Sequence, residues 1–154
     1  VAGGVAGRLG GPYGAAQTIL LFAYAAAWFL STAPRGRFAL AGDLLCLAGL
    51  GLIAAAFVSL GSAVQVDPEP RAGAVLVTRG VYARLRHPMY TAIVVLVIGI
   101  FLKKPVLPMG ALTAAIIAFL ALKVRVEERL LAERYPDYAA YRARTWGVFL
   151  TPPR

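Results

Sequence analysis

The residues capable of chemistry gather in two short stretches. Residues 80–90 read Gly80-Val81-Tyr82-Ala83-Arg84-Leu85-Arg86-His87-Pro88-Met89-Tyr90 and hold the chain's single histidine, two arginines and two tyrosines. An uncharged apolar run follows at once, so imidazole and guanidinium groups stand at the mouth of an apolar helix. The second stretch is Glu127-Glu128, the chain's one adjacent pair of acids, which closes another apolar run. Carboxylates accept hydrogen bonds from ammonium and hydroxyl groups, and a guanidinium pairs with a carboxylate. Tyrosine faces attract cations, by about 0.5–2 kcal/mol. Tyr138 and Tyr141, three apart, share one face of a short helix just beyond the acids. One histidine and one cysteine make no zinc set and no disulfide within the chain; Cys46, inside an apolar run, reads as a small buried hydrophobe.

The elements that must position these groups are membrane-type helices. Hydrophobic residues make up 60% of the 154, and the formal net charge is +9. Soluble domains are nearer half apolar. The basic residues flank apolar runs, which favours anionic lipid over nucleic acid as their partner. Apolar runs at 15–33, 38–63, 88–103 and 106–124 predict an all-α integral membrane bundle of about four transmembrane helices. A C-terminal amphipathic helical extension follows, and residues 1–154 form a single domain. Residues 1–14 are a glycine-rich start without a cleavable signal peptide. Trp28 and Phe29 suit an aromatic belt, and Pro34-Arg35-Gly36-Arg37 a tight turn. Asp43 lies close enough to the interface to stay wet, and Gly49 and Gly51 permit close helix approach. The polar loop 64–87 includes the non-helical Asp67-Pro68-Glu69-Pro70-Arg71 and a short extended piece over 75–78. The third and fourth runs are joined so tightly that they should be antiparallel neighbours. Pro136 ends the extension, and Trp146, Val148, Phe149 and Leu150 offer an interfacial anchor.

With four spans, twelve of the sixteen Lys and Arg residues fall on one side. That excess places both termini, the loop 64–87 and the segment 125–154 in the cytosol. Both polar clusters then lie at one end of the bundle. Adjacent helical residues point about 100° apart, so one glutamate of the pair is expected to face His87.

These residues resemble a known family. Gly80-Val81-Tyr82, Arg86-His87-Pro88-Met89-Tyr90, Glu127-Glu128-Arg129-Leu130-Leu131 and Tyr138-x-x-Tyr141 are similar to the isoprenylcysteine carboxyl methyltransferases, within the wider group that includes phospholipid methyltransferases. The resemblance covers roughly the last 95 residues; the first two runs match only as spans, and the chain is shorter than the eukaryotic members. It implies S-adenosylmethionine as methyl donor. It also implies that His87, Pro88, Tyr90, Glu127 and Glu128 surround that cofactor, with Tyr82, Tyr138 and Tyr141 lining the same pocket. Arg86 suits the donor's carboxylate. Methyl transfer is an in-line displacement that needs no metal, and positioning can supply about 7–11 kcal/mol. Glu128 and Arg144 are the candidate catalytic residues, Arg144 by orienting an acidic acceptor. The implied partners are membrane lipids and a lipophilic or lipidated acceptor; separately, the abundance of Ala, Gly and Arg suits a bacterial gene and hence a bacterial cytoplasmic membrane. Two other readings compete: a nicotinamide-dependent membrane reductase of the sterol-reducing kind, and a non-catalytic lipid-binding membrane module.

Overall fold

The computed structural model describes residues 13–61, 76–148 and Pro152. The architecture is helical: α1 (Gly14–Leu30), α2 (Ala39–Leu60), α3 (Pro88–Lys103), α4 (Leu107–Arg134) and α5 (Tyr138–Arg142), with a 3-10 turn at Gly80–Ala83 ahead of α3. Among the described residues there is no strand, only a one-residue parallel bridge between Leu85 and Trp146. The expected all-α class holds.

The expected bundle of about four transmembrane helices is borne out in part. Two helices, α2 and α4, are long and apolar enough to cross a membrane. α1, with 17 residues, and α3, with 16, are apolar but shorter. At 1.5 Å per residue each is about 25 Å long, against a hydrocarbon layer of about 30 Å. The reason is local. Apolar residues continue past Leu30, but Pro34 turns the residue before it away from helix, and the chain leaves α1 at Ser31. Pro88 and the Lys103-Lys104-Pro105 turn fix the two ends of α3.

α2 and α3 meet backbone to backbone. A Cβ on Gly42 would lie 2.4 Å from the Gly99 carbonyl oxygen, and one on Gly49 would lie 2.7 Å from Leu96 Cγ and 3.1 Å from the Ala92 oxygen. Gly42 faces Gly99 and Gly49 faces Ala92, so the pair is antiparallel and in constant register. Small residues are what allow apolar helices to approach this closely. Of the two glycines expected to do this, Gly49 does and Gly51 does not; nothing lies within 4 Å of a Cβ there. α3 and α4 touch as expected, but the close partner of α3 is α2, while α4 packs mainly on α1. Tyr24 ties α1 to the other two. Its hydroxyl donates to the Val97 carbonyl at 2.6 Å and lies 3.0 Å from Thr113 Oγ1. Val94, Val97, Met109, Ile116 and Leu120 complete this core.

At one end, the Gly36 N–H donates to the Lys103 carbonyl at 2.9 Å, joining the α1–α2 and α3–α4 turns. Asp43 is paired there with Arg35 and with Lys103 Nζ at 2.8 Å. At the other end Ser59 Oγ accepts from the Val81 N–H at 3.1 Å. Gly80 sits at φ +59, and a Cβ on it would meet Ser59 Oγ at 2.2 Å, so both conformation and space require glycine. α4 runs unbroken through Glu127 and Glu128 to Arg134, as the expected extension, and Pro136 stops it. The expected glycine-rich start up to residue 12, the segment 67–71, Val75, Phe149 and Leu150 lie outside the described residues. Residues 76–78 pair with no strand.

Gly42→Ala should cost about 1–3 kcal/mol by forcing α2 off α3. Gly51→Ala should cost nothing and gain up to about 1 kcal/mol of helix propensity. Thermal unfolding of the two variants in detergent checks the contrast; equal midpoints would contradict the α2–α3 register.

Candidate functional site

Pro88 opens α3 at its first turn, where a missing N–H is harmless, and this sets His87 at the helix mouth. The His87 carbonyl accepts from the Thr91 N–H at 3.0 Å and from Thr91 Oγ1 at 3.1 Å. The ring is buried and stacked on Tyr90, with centroids 5.7 Å apart and planes at 18°. α4 brings both glutamates to it. His87 Nε2 lies 3.4 Å from Glu128 Oε1, and Nδ1 lies 3.9 Å from Glu127 Oε2. The expectation of one inward glutamate is therefore corrected. The imidazole lies between the two diverging carboxylates, so the 100° between neighbouring side chains brackets the ring instead of excluding one acid.

Each carboxylate has its own partners. Glu127 Oε1 accepts from the Tyr90 hydroxyl at 2.5 Å and lies 3.8 Å from Lys123 Nζ. That ammonium sits 5.1 Å above the Tyr90 ring and donates to Gln17 Oε1 at 3.0 Å, which draws the start of α1 to the site. Glu128 Oε1 accepts from Arg86 Nε at 2.9 Å, and its Oε2 lies 3.9 Å from Arg142 Nε.

Arg86 is the most enclosed charge here, with 4% of its side chain exposed. Besides Glu128, its Nη1 donates to the Arg142 carbonyl at 2.9 Å and to the Thr145 carbonyl. Its backbone N–H donates to the Trp146 carbonyl at 2.8 Å, and Trp146 N–H returns a bond to the Arg84 carbonyl at 2.8 Å. The segment after α4 is thus folded back onto the loop before α3. Tyr141 adds a tie, its hydroxyl donating to the Tyr82 carbonyl at 2.7 Å. Tyr138 and Tyr141 are both buried, their rings 6.0 Å apart.

The electrostatics follow from this packing. The His87 imidazole beside Glu128, opposed by burial and reinforced by Arg86, brings that carboxyl down to about 2. Burial pushes the Tyr141 phenol up to about 12, and raises Tyr82 and Tyr138 as well. At 3.4 Å His87 Nε2 lies beside Glu128 Oε1 without a formed hydrogen bond. His87 Nε2 and the Tyr138 hydroxyl, both enclosed, have no hydrogen-bond partner among the described residues.

The model of the family described as phospholipid methyltransferase matches residues 38–150. The chain belongs to the phospholipid methyltransferase family. It is also similar to the cobalt-zinc-cadmium resistance protein CzcN of Cupriavidus metallidurans, 32% identical over 107 residues. That match covers 69% of this chain and 49% of CzcN, so the chain spans about half the length of the curated relative it matches. No solved structure matches it.

Within this phospholipid methyltransferase family member, the structure brings together Arg86, His87, Pro88, Tyr90, Glu127, Glu128 and Tyr138, with Tyr82 and Tyr141 joined at the edge. It does not bring in the Arg144 side chain, which is exposed, with only its backbone N–H bound, to the Tyr141 carbonyl at 3.3 Å. Arg142, two residues earlier, reaches toward Glu128 in its place, its Nε 3.9 Å from Oε2, although its side chain is itself exposed. Sequence reasoning also missed Lys123 and Thr145. Lys123 stands four residues before Glu127, a helical spacing that signals a pair. Thr145 is fully buried, and its Oγ1 donates to the Tyr141 carbonyl at 2.7 Å. No local pattern announces it.

Arg86→Met should cost about 3–5 kcal/mol, because it leaves the Glu128 carboxylate enclosed without its nearest cation. Chemical unfolding in detergent measures it. The pH dependence has a definite sign. Unfolded, Glu128 returns to near 4.5; folded, it is held at about 2. Its stabilisation is fully present above about pH 4.5 and is lost as pH falls toward 2. The stability gap between the wild type and Glu128→Gln should therefore shrink across that window, in unfolding midpoints recorded from pH 7 downward.

Proposed function

We propose that this chain is an integral-membrane methyltransferase that moves a methyl group from S-adenosylmethionine to a lipidic or amphiphilic acceptor. The reaction site is the mouth of α3, where His87, Glu127 and Glu128 converge. Family membership supports methyl transfer in a membrane, and two helices long enough to cross support insertion. The observation that carries the donor is the pair of enclosed polar atoms without partners, His87 Nε2 and the Tyr138 hydroxyl. An unsatisfied buried polar group costs about 1–3 kcal/mol, a cost that a polar ligand removes.

The residues present fit such a donor. Glu127 keeps acceptor capacity beyond its bond to Tyr90, suited to an ammonium or ribose hydroxyls. The stacked faces of His87 and Tyr90 suit an aromatic base or a cation. When bound, the donor supplies an electrophilic methyl group on a sulfonium that departs as a neutral thioether. The protein's own work is placement. Arg86 directs Nε and Nη1 to Glu128 and two carbonyls, so it holds the carboxylate and the fold-back in place. Glu128 remains ionised at physiological pH and, paired with Arg86 and close to Arg142, would serve the donor by fixing this corner of the site. Arg144, exposed one turn from Tyr141, is assigned the orientation of an acidic acceptor. The excess of cations at this end argues for its facing the cytosol. No described feature favours a nicotinamide-dependent reductase over methyl transfer, which the family supports.

Titration calorimetry of the detergent-purified protein with S-adenosylmethionine and its demethylated product tests the proposal. Saturable binding is expected, weakened at least tenfold in His87→Ala and less in Tyr138→Phe. Absence of binding to both compounds, or equal affinity in His87→Ala, would sink it.

A further inference from the structure

At the end of the bundle away from His87 the two turns are tied together, and four cations gather: Arg35, Arg37, Lys103 and Lys104. Asp43 is the one acid among the described residues there, already held by Arg35 and Lys103. The end carries a formal excess of three positive charges. Lys104 Nζ donates to the Ser31 carbonyl at 2.9 Å, and both lysines lie over the Trp28 ring, at 4.5 Å for Lys104 and 5.5 Å for Lys103. From this rim an apolar cavity of about 530 Å³ runs between α1 and α3. Its walls include Leu21, Ala25 and Phe29 on α1 and Ile93 and Ile100 on α3, and Lys103 stands in its lining. α1 packs on α4 and α3 packs on α2, so neither helix closes the space. Leu21, Ala25 and Phe29 are exposed, so the cavity opens sideways, toward lipid.

We propose that this cavity holds one anionic membrane phospholipid, with an acyl chain between α1 and α3 and the phosphate on the Lys103–Lys104 rim. An apolar slot of this size accepts a hydrocarbon chain, and the lining offers little to a polar ligand. The charge excess selects the headgroup. Lysine stems reach along apolar walls and leave their ammonium groups at the interface, where a phosphate lies. The lipid fills the space left between α1 and α3 beside the Tyr24–Val97 bond and the Trp28–Lys103 contact that tie them. It lies apart from the methyl-transfer cluster, since the cavity stops at Ile93, a turn short of Tyr90, and the charged rim is at the opposite end.

Protein in neutral detergent, mixed with phosphatidylglycerol or with phosphatidylcholine of the same chains, gives the test by native mass spectrometry and thermal unfolding. Phosphatidylglycerol should be retained at least fivefold more than phosphatidylcholine and should raise the unfolding midpoint. The double variant Lys103→Gln/Lys104→Gln should lose that preference. Ala25→Phe, which fills the slot, should lose retention of both lipids, and it decides alone if the lysine variant does not fold. Arg125→Gln, at the other end, should behave as wild type. Equal retention of the two lipids, retention surviving Ala25→Phe, or the same loss in Arg125→Gln would overturn the proposal.

Discussion

A guanidinium with almost no access to water must find its acceptors inside the protein, and Arg86 imposes that requirement on everything around it. Three of its donor hydrogens are directed at Glu128, Arg142 and Thr145. Those acceptors come from α4, from α5 and from the turn after α5. Satisfying one cation therefore fixes where three separate pieces of chain meet. The Trp146 bonds to residues 84 and 86 then hold the backbone in register around the side chain. Such a centre contributes little net stability when complete, because desolvation offsets much of the attraction. Its consequence is uniqueness of arrangement: a displaced segment would leave either the guanidinium or the Glu128 carboxylate without a partner.

The apolar half of the structure works by a different constraint. Gly42, Gly49 and Gly99 let α2 and α3 touch along their length, and the antiparallel register leaves little room to slide. At the top of that seam Ser59 meets Gly80 and Val81. The loop that carries Arg86 and His87 is thus anchored to α2 before it meets α4. Contact between backbones sets the height of His87, and the charged network sets what surrounds it. α1 is held more loosely, by Tyr24 in the middle and by Gln17 and Lys104 at the two ends.

How much of this the sequence discloses depends on the range of the interaction. Helix class and approximate extent are local and were legible, as was the placement of Pro88 at the start of α3. The chemical cluster was legible too, because a proline-started helix after Arg86-His87 and an acid pair at the end of a neighbouring run must come to one end of a bundle. The partner of α3 was not. Glycines seven apart on α2 match small residues on α3, yet Gly51 looks the same in sequence and faces open space. Only the direction in which α2 turns decides between them. The first two helices end about three residues before their apolar runs do, because hydropathy does not stop where hydrogen bonding does, whereas α3 matches its run and α4 continues past it. Arg142 and Thr145 were invisible because their role depends on a fold-back organised by a residue more than fifty positions earlier.

The two glutamates show why an adjacent acid pair suits this position. A single carboxylate beside His87 would serve either the structure or a ligand. Here the duties separate along the helix. Glu128 turns toward Arg86 and Arg142 and is committed to holding the fold-back in place. Glu127 turns toward Tyr90 and Lys123, and its side chain is the more exposed of the two, at 24% against 16%. The imidazole between them is restrained on both edges, while its Nε2 remains unsatisfied. An arginine, a glutamate and three backbone carbonyls immobilise this corner, and two enclosed polar atoms beside it still lack hydrogen-bond partners. Rigidity therefore comes from Glu128 and Arg86, while the unmet hydrogen-bonding capacity sits on His87 Nε2 and the Tyr138 hydroxyl.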